Sequence, residues 1–221
     1  MAQIETELQL LKTEAVNMWT LVNSQLNKAR MAFVNFDKDL AREVVLKEKR
    51  VNGSELKIDR DCENIFALFC PVAIDLRFLL AVLKINTNLE RIGDIAEGIA
   101  KYVIDADAPF TQELLDTTRI LPMYEESVKM LEDTQEAFEK EDTILARSVF
   151  KKDDYLDDVN RQSHKVLERH LKDHPQDTAQ ALWILSTIRK LERVGDQAKN
   201  IAEEIIFYLE AKVLKHRNKF V

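Results

Sequence analysis

The chain has 221 residues, 46% of them hydrophobic and 32% charged, with a formal net charge of −7. That balance excludes a disordered chain, and basic residues dispersed among more numerous acids argue against a general phosphate-neutralising surface for nucleic acid. With only 4 Gly and 4 Pro, and no alternating Val/Ile/Thr runs closed by Asn-Gly or Asp-Gly, the sequence predicts few turns and long helices.

The opening stretch, MAQIETELQLLKTE, has no basic segment followed by an apolar core, so it reads as the start of a helix and not as a signal peptide. A first helix is expected over 3–35, a second over 38–69 and a third over 73–104, with Pro71 at the last corner. The longest apolar run, IFALFCPVAI at 65–74, is 10 residues long and contains that proline, where a membrane span needs about 20. Cys62 and Cys70 are too few for a disulfide framework and are read as buried free thiols. A soluble, cytoplasmic protein is the expectation.

The second half echoes the first. AFVNFDKDLAREVVLKEK at 32–49 resembles AFEKEDTILARSVFKKDD at 137–154, with Ala32, Phe33, Asp37, Leu40, Ala41, Arg42, Val44 and Lys47 meeting identical residues 105 positions on. LERIGD at 89–94 returns as LERVGD at 191–196, 102 positions on. Two copies fit a duplication, since a solenoid needs three or more repeats. Pro109 and Pro122 flank the passage between the halves, and Pro175 repeats Pro71. Helices are therefore expected over 111–139, 142–173 and 177–215. The predicted fold is all-α, two tandem sequence-related three-helix bundles, with domains at 1–107 and 108–221.

Helix three shows the packing pattern best. Phe78, Val82, Ile85, Leu89, Ile92, Ala96 and Ile99 form a stripe at alternating steps of four and three. Beside it runs Leu76, Leu80, Leu83, Thr87, Glu90 and Asp94, so the acidic pair continues a semi-apolar row. Leu182 and Leu185 lead in the same way to Glu192 and Asp196. Like charges four apart cost a bare helix roughly 0.2–0.5 kcal/mol, which solvent or a cation must offset. Acidic pairs at this spacing are common in so acidic a chain; their return in both halves is the signal.

Helix two supplies a second row: Glu48, Asn52, Glu55 and Asp59, with Asp153, Asp157, Asn160 and His164 at the equivalent positions. Folding helices two and three about Pro71 sets Glu55 opposite Glu90 and Asn52 opposite Asp94. Folding about Pro175 sets Asp157 opposite Glu192 and Asp153 opposite Asp196. Carboxylates so crowded repel unless protonated or neutralised by cations. Oxygen-rich ligands suit divalent or trivalent ions such as iron, Mn²⁺ or Mg²⁺. Arg91 and Arg193 offer a competing neutralisation without metal, although each points about 100° away from its neighbouring Glu. Gly93 and Gly195, costing roughly 1 kcal/mol each in a helix, suggest close backbone packing beside the acids.

With KRVNGSELKID at 49–59, PVAIDLR at 71–77, both LERxGD blocks and AKNIAEEI at 198–205, the chain resembles the PhoU family over almost its full length. The resemblance implies two similar three-helix bundles and metal clusters held by E/DxxxD motifs. These motifs map onto Glu55/Asp59 and Glu90/Asp94, then Asp153/Asp157 and Glu192/Asp196. It also implies negative regulation of phosphate uptake and the phosphate-starvation response at the inner face of the membrane. There the implied role is that of an adaptor between the phosphate transporter's ATPase subunit and a sensor histidine kinase, with homodimerisation. Two positions depart from the repeat. Arg77 has no counterpart in PQDTAQA at 175–181, and is read as a solvated or locally paired helix start or a partner contact. His164 stands where symmetry would put an acid.

Two rivals share these helices. One is a structural adaptor whose acidic rows hold no metal. The other is a carboxylate-bridged di-iron enzyme, which uses Glu-x-x-His pairs. No Glu here is followed three residues later by His, and all four histidines (His164, His170, His174 and His216) lie in the second half. A non-enzyme is expected.

Overall fold

The computed structural model describes residues 2–214, and among them there is no strand. Helices α1 (Ala2–Asn35), α2 (Lys38–Phe69) and α3 (Ala73–Asp105) form the first bundle. Helices α4 (Gln112–Thr118), α5 (Ile120–Lys140), α6 (Thr143–Asp173) and α7 (Thr178–Glu210) form the second, with a 3-10 turn at Pro175–Asp177 before α7. The fold is all-α and its two bundles are related by sequence. No helix among the described residues is long and apolar enough to cross a membrane.

The duplication reaches down to turn chemistry. Phe36 and Glu141 both take left-handed backbone, and the next residue in each case caps a helix. The Asp37 carboxylate accepts from the amides of Asp39 and Leu40 at 3.0 and 2.9 Å. The Asp142 carboxylate accepts from those of Ile144 and Leu145 at 2.9 and 3.0 Å. Each such cap is worth about 1 kcal/mol to its helix. Downstream, Ala41, Val44 and Val51 of α2 are buried, as are Ala146, Val149 and Leu156 at the equivalent places in α6.

The bundles share one core. Helix α3 lies along α7 and α1 along α5. Trp19 of α1 meets Phe138 of α5 at a ring-centroid separation of 5.1 Å, and Tyr102 of α3 meets Trp183 of α7 at 5.0 Å. Such aromatic pairs add about 0.5–1.5 kcal/mol beyond the area they bury. Arg77 also crosses the seam: its Nε donates to the carbonyl of Tyr208 at 3.2 Å, satisfying an acceptor in the last turn of α7. It is thus a tie between halves, which a reading of its own helix start could not reveal.

Three local expectations are corrected. The helix expected over 111–139 is broken at Arg119, whose φ of 57° and ψ of 27° end α4 and begin α5. A continuous helix would press the Pro122 ring against the carbonyl of Thr118, whereas after the break Pro122 sits in a first turn that needs no N–H donor. Helix α7 stops at Glu210 instead of 215, capped by Ala211 at φ 56°, and residues 211–214 are not helical. Arg147 grips Glu210 with two bonds of 2.7 and 2.9 Å there. Residue 215 and His216 lie outside the described residues. Cys62 is buried, its thiol pushed up to about 12 chiefly by burial, but Cys70 is exposed because it forms the left-handed cap of α2 before Pro71.

Candidate metal centres

Glu48 takes a step in the buried stripe of α2 that otherwise carries Ala41, Val44, Val51 and Ile58. Only 8% of it is exposed. Its carboxylate accepts one bond from Asn52 Nδ2 at 3.0 Å, while its other oxygen, Oε1, is buried without a hydrogen-bond partner. Asn86 of α3 reaches across to α2, donating to the Glu55 carbonyl at 3.0 Å and to Asp59 Oδ1 at 2.9 Å. The oxygens of Asn52 and Asn86 are buried and unpartnered as well. Buried acceptors are normally satisfied, so three orphans beside carboxylates mark this patch as fitted for positive charge.

The electrostatics join the two rows. Glu90 is pushed up to about 7, first by burial and then by Asp94, Glu55 and Glu48. Burial and then Asp94 and Glu97 raise Glu48; burial and then Asp59 and Asp94 raise Glu55. The structure therefore brings Glu48, Glu55, Glu90 and Asp94 to one patch, with Asp59 beside Glu55. Glu97 belongs to it too and escaped the sequence analysis. Arg91 is the least of the influences on Glu90 and opposes the others. Neither Arg91 nor Arg193 forms an ion pair among the described residues, so any neutralisation by them acts only through space.

The second patch is built on the same places with different charge. Asp153, 4% exposed, stands at the position equivalent to Glu48. Burial, then Asp196, Asp157 and Asp153 raise the carboxyl of Glu192. Here, however, Lys199 of α7 bonds Asp153 Oδ2 and also Asp196 Oδ1, the latter at 3.2 Å. Burial alone would depress the Lys199 ammonium, but the two aspartates outweigh it and hold the pKa above the ordinary range. Lys199 lies 102 positions after Glu97, so a cation replaces an acid at an equivalent step. His164 stays outside this patch: it is exposed and its Nε2 lies 2.8 Å from Arg189 Nη2. The fourth step of the α6 row is thus not a ligand position.

Both LERxGD glycines are needed for approach. A Cβ on Gly93 would stand 3.0 Å from Val51 Cγ1. One on Gly195 would stand 2.8 Å from Leu156 Cδ2 and 3.0 Å from Asp153 Oδ1. No three carboxylates of these rows, among the described residues, bring ligand atoms within 4.8 Å of one another. Among the described residues, the trio whose ligand atoms all lie within 4.8 Å of one another is Glu113, His170 and His174, which the sequence analysis did not single out.

A family model described as the PhoU domain matches residues 16–103 and again residues 120–205. The "Phosphate-specific transport system accessory protein PhoU" of Edwardsiella tarda is 33% identical over 214 residues, spanning 97% of this chain and 87% of that protein. The crystal structure of PhoU from Pseudomonas aeruginosa superposes with a TM-score of 0.88 at 30% identity, covering 94% of this chain and 99% of that one. That of the phosphate transport system regulatory protein PhoU from Streptococcus pneumoniae gives 0.84 at 26% identity, covering 96% and 99%.

Proposed function

The chain is a member of the PhoU family, and from that premise we propose that it is a metal-binding, non-enzymatic accessory protein that regulates phosphate uptake and the phosphate-starvation response. Glu48, Glu55, Asp59, Glu90 and Asp94 would hold ions in the first bundle, and Asp153, Asp157, Glu192 and Asp196 in the second. A bound iron, Mn²⁺ or Mg²⁺ ion supplies positive charge that turns carboxylate repulsion into attraction. The residues themselves do the rest: Asn52 and Asn86 hold the carboxylates of α2 in place, and the two glycines let α3 and α7 approach them. The observation that carries this reading is the set of buried, partnerless oxygens on Glu48, Asn52 and Asn86 beside Glu90 and Asp94.

The proposed setting is the cytoplasmic face of the inner membrane, reached through the transporter's ATPase subunit and the sensor histidine kinase, and the proposed assembly is a homodimer. Exposed Leu68, Val72, Ile74, Leu76 and Leu80 around the α2–α3 corner offer an apolar surface to a second copy. A metal-free role is favoured by one observation, the Lys199 ion pairs, and applies to the second patch alone. Elemental analysis of chelator-free protein tests the proposal against a Glu90→Ala/Asp94→Ala/Glu192→Ala/Asp196→Ala variant. Metal should be present in the first and largely lost in the second. Negligible metal in both would leave a bare helical adaptor.

A further inference from the structure

At the far end of α6, the repeat is broken by a histidine. Ile65 of α2 is a 3% exposed core residue, and 105 positions on stands His170, 7% exposed. An imidazole at an apolar core position must be hydrogen-bonded, and this one is. Its Nε2 lies 2.8 Å from Asp177 Oδ2, in the 3-10 turn that leads into α7. A carboxylate only accepts, so the proton belongs on Nε2, leaving the Nδ1 lone pair free on the side of Glu113, whose Oε1 is 3.9 Å away.

One turn on, His174 stacks on His170 with ring centroids 4.7 Å apart and planes inclined by 20°. Its Nε2 is 3.4 Å from the same Glu113 oxygen. Glu113 arrives from the first turn of α4, which Thr111 caps. Three ligand atoms, from α4, from α6 and from the residue that caps α6, thus converge within 4.8 Å, and a carboxylate in the following 3-10 turn orients the buried imidazole. That arrangement, a metal-facing histidine held by a carboxylate on its other nitrogen, is what metal sites use to fix tautomer and ring orientation.

We propose that Glu113, His170 and His174 form a third cation site, selective for borderline divalent ions of the Zn²⁺ class, with Asp177 as a positioning residue. Two imidazoles and one carboxylate suit such ions better than the hard, oxygen-preferring ions that fit the acidic rows. Three protein ligands leave a fourth position for water. Closing onto an ion at about 2.0–2.2 Å requires the trio to contract. Glu113 and His174, with side chains 60% and 38% exposed, have the freedom to move while buried His170 stays fixed. For His174 to bind through Nε2 its proton must sit on Nδ1, where Gln176, 3.5 Å away, can turn its amide oxygen to accept it. Occupancy would clamp α4, the start of the second bundle, onto the α6–α7 corner.

Cobalt separates this site from the carboxylate patches, because a four-coordinate nitrogen-containing site absorbs visible light intensely and an all-oxygen six-coordinate one only weakly. The full chain, stripped with chelator, is titrated with Co²⁺. One equivalent of intense absorption is expected, displaced by Zn²⁺, abolished in His174→Ala and retained in Glu90→Gln/Asp94→Asn. Asp177→Asn should weaken Zn²⁺ binding about tenfold or more while leaving stoichiometry at one. His174→Ala leaves the buried imidazole in place, and circular dichroism checks that the variant folds. Weak absorption only, an intense band that survives His174→Ala, or a band lost with Glu90 and Asp94 would each overturn the proposal and leave an ordinary His170–Asp177 hydrogen bond.

Discussion

Helix α3 carries Glu97 one turn beyond Asp94, and α7 carries Lys199 one turn beyond Asp196. Around the first position gather six carboxylates (Glu48, Glu55, Asp59, Glu90, Asp94 and Glu97), with Lys101 held 2.7 Å from Glu97 at the edge. Around the second are four (Asp153, Asp157, Glu192 and Asp196), and Lys199 lies between two of them. One scaffold therefore supports two solutions to the same crowding: an external cation, or a lysine already attached to the chain. A tethered ammonium competes with any ion for Asp153, so the first patch should bind metal more tightly than the second.

The largest expected effect follows directly. Saturating Mn²⁺ at about a thousandfold above Kd stabilises a protein by about 4 kcal/mol, or roughly 10 °C in melting temperature for a chain of this size. Glu90→Gln/Asp94→Asn should remove most of that shift, and Glu192→Gln/Asp196→Asn much less, in scanning calorimetry with and without the ion. Equal losses would erase the distinction between the patches. Exchanging the charges sharpens it: Lys199→Glu should raise metal content by elemental analysis, and Glu97→Lys should lower it.

Next in size is the lysine itself. Lys199→Met leaves Asp153 buried beside Asp157 and Asp196 with no counter-charge. The pair is partly open to water, so the expected cost in urea unfolding with chelator present is about 2 kcal/mol, below the 3–5 kcal/mol of a fully buried pair. In the first patch Lys190 of α7 faces Asp94 and Glu97 only through space, and Lys101→Met should cost well under 1 kcal/mol, as exposed pairs do. If both variants lose the same stability, Lys199 is only a surface cation.

Acidity separates the patches by a smaller amount. Glu90 binds its proton more tightly folded than unfolded, its pKa moving from 4.5 to about 7. The folded state therefore holds more protons between those values, and stability falls as pH rises through them. Below about 4.5 the penalty vanishes and above about 7 it is complete. Discounted for water at the groove, the swing is on the order of 1–2 kcal/mol. Melting of the chelated protein should drop between pH 5 and 8, and Glu90→Gln should flatten the profile. An unchanged slope in that variant would show that the crowding is relieved elsewhere.

The extent to which these patches could be read from letters alone depends on what each residue's position requires. The α3 stripe from Phe78 to Ile99 announces its helix because burial demands a residue at every third or fourth place. The acidic rows were visible because identical pairs recur on the same semi-apolar line. Lys199 stands openly in AKNIAEEI, but its role depends on the distance between α6 and α7, which no spacing along one helix encodes. His170 was harder still, a single polar residue at a place where the first half has Ile65. Asking which equivalent positions change character between the copies, Glu97 to Lys199 and Ile65 to His170, would have found both. The kink at Arg119 was signalled by Pro122 three residues later, because a proline disrupts the turn before it.

Glycine gives the finest contrast between the copies. Replacing either LERxGD glycine by alanine gains roughly 1 kcal/mol of helix propensity, so the outcome turns on whether the neighbours can yield. Beside Gly93 the obstacle is one methyl of Val51 at 3.0 Å, which needs a shift of a few tenths of an ångström. Beside Gly195 the new methyl meets Leu156 at 2.8 Å and the Asp153 carboxylate at 3.0 Å, and that carboxylate is anchored by Lys199. Overpacking of this kind costs about 1–3 kcal/mol. Gly93→Ala should therefore be close to neutral, while Gly195→Ala should destabilise by about 1 kcal/mol net. Pairing Gly195→Ala with Lys199→Met, which frees Asp153 to move, should give a combined loss smaller than the sum of the two, because the alanine then meets a carboxylate that can retreat. Strict additivity in that double-mutant cycle would mean that Leu156 alone sets the clash and that the glycine has nothing to do with the acids.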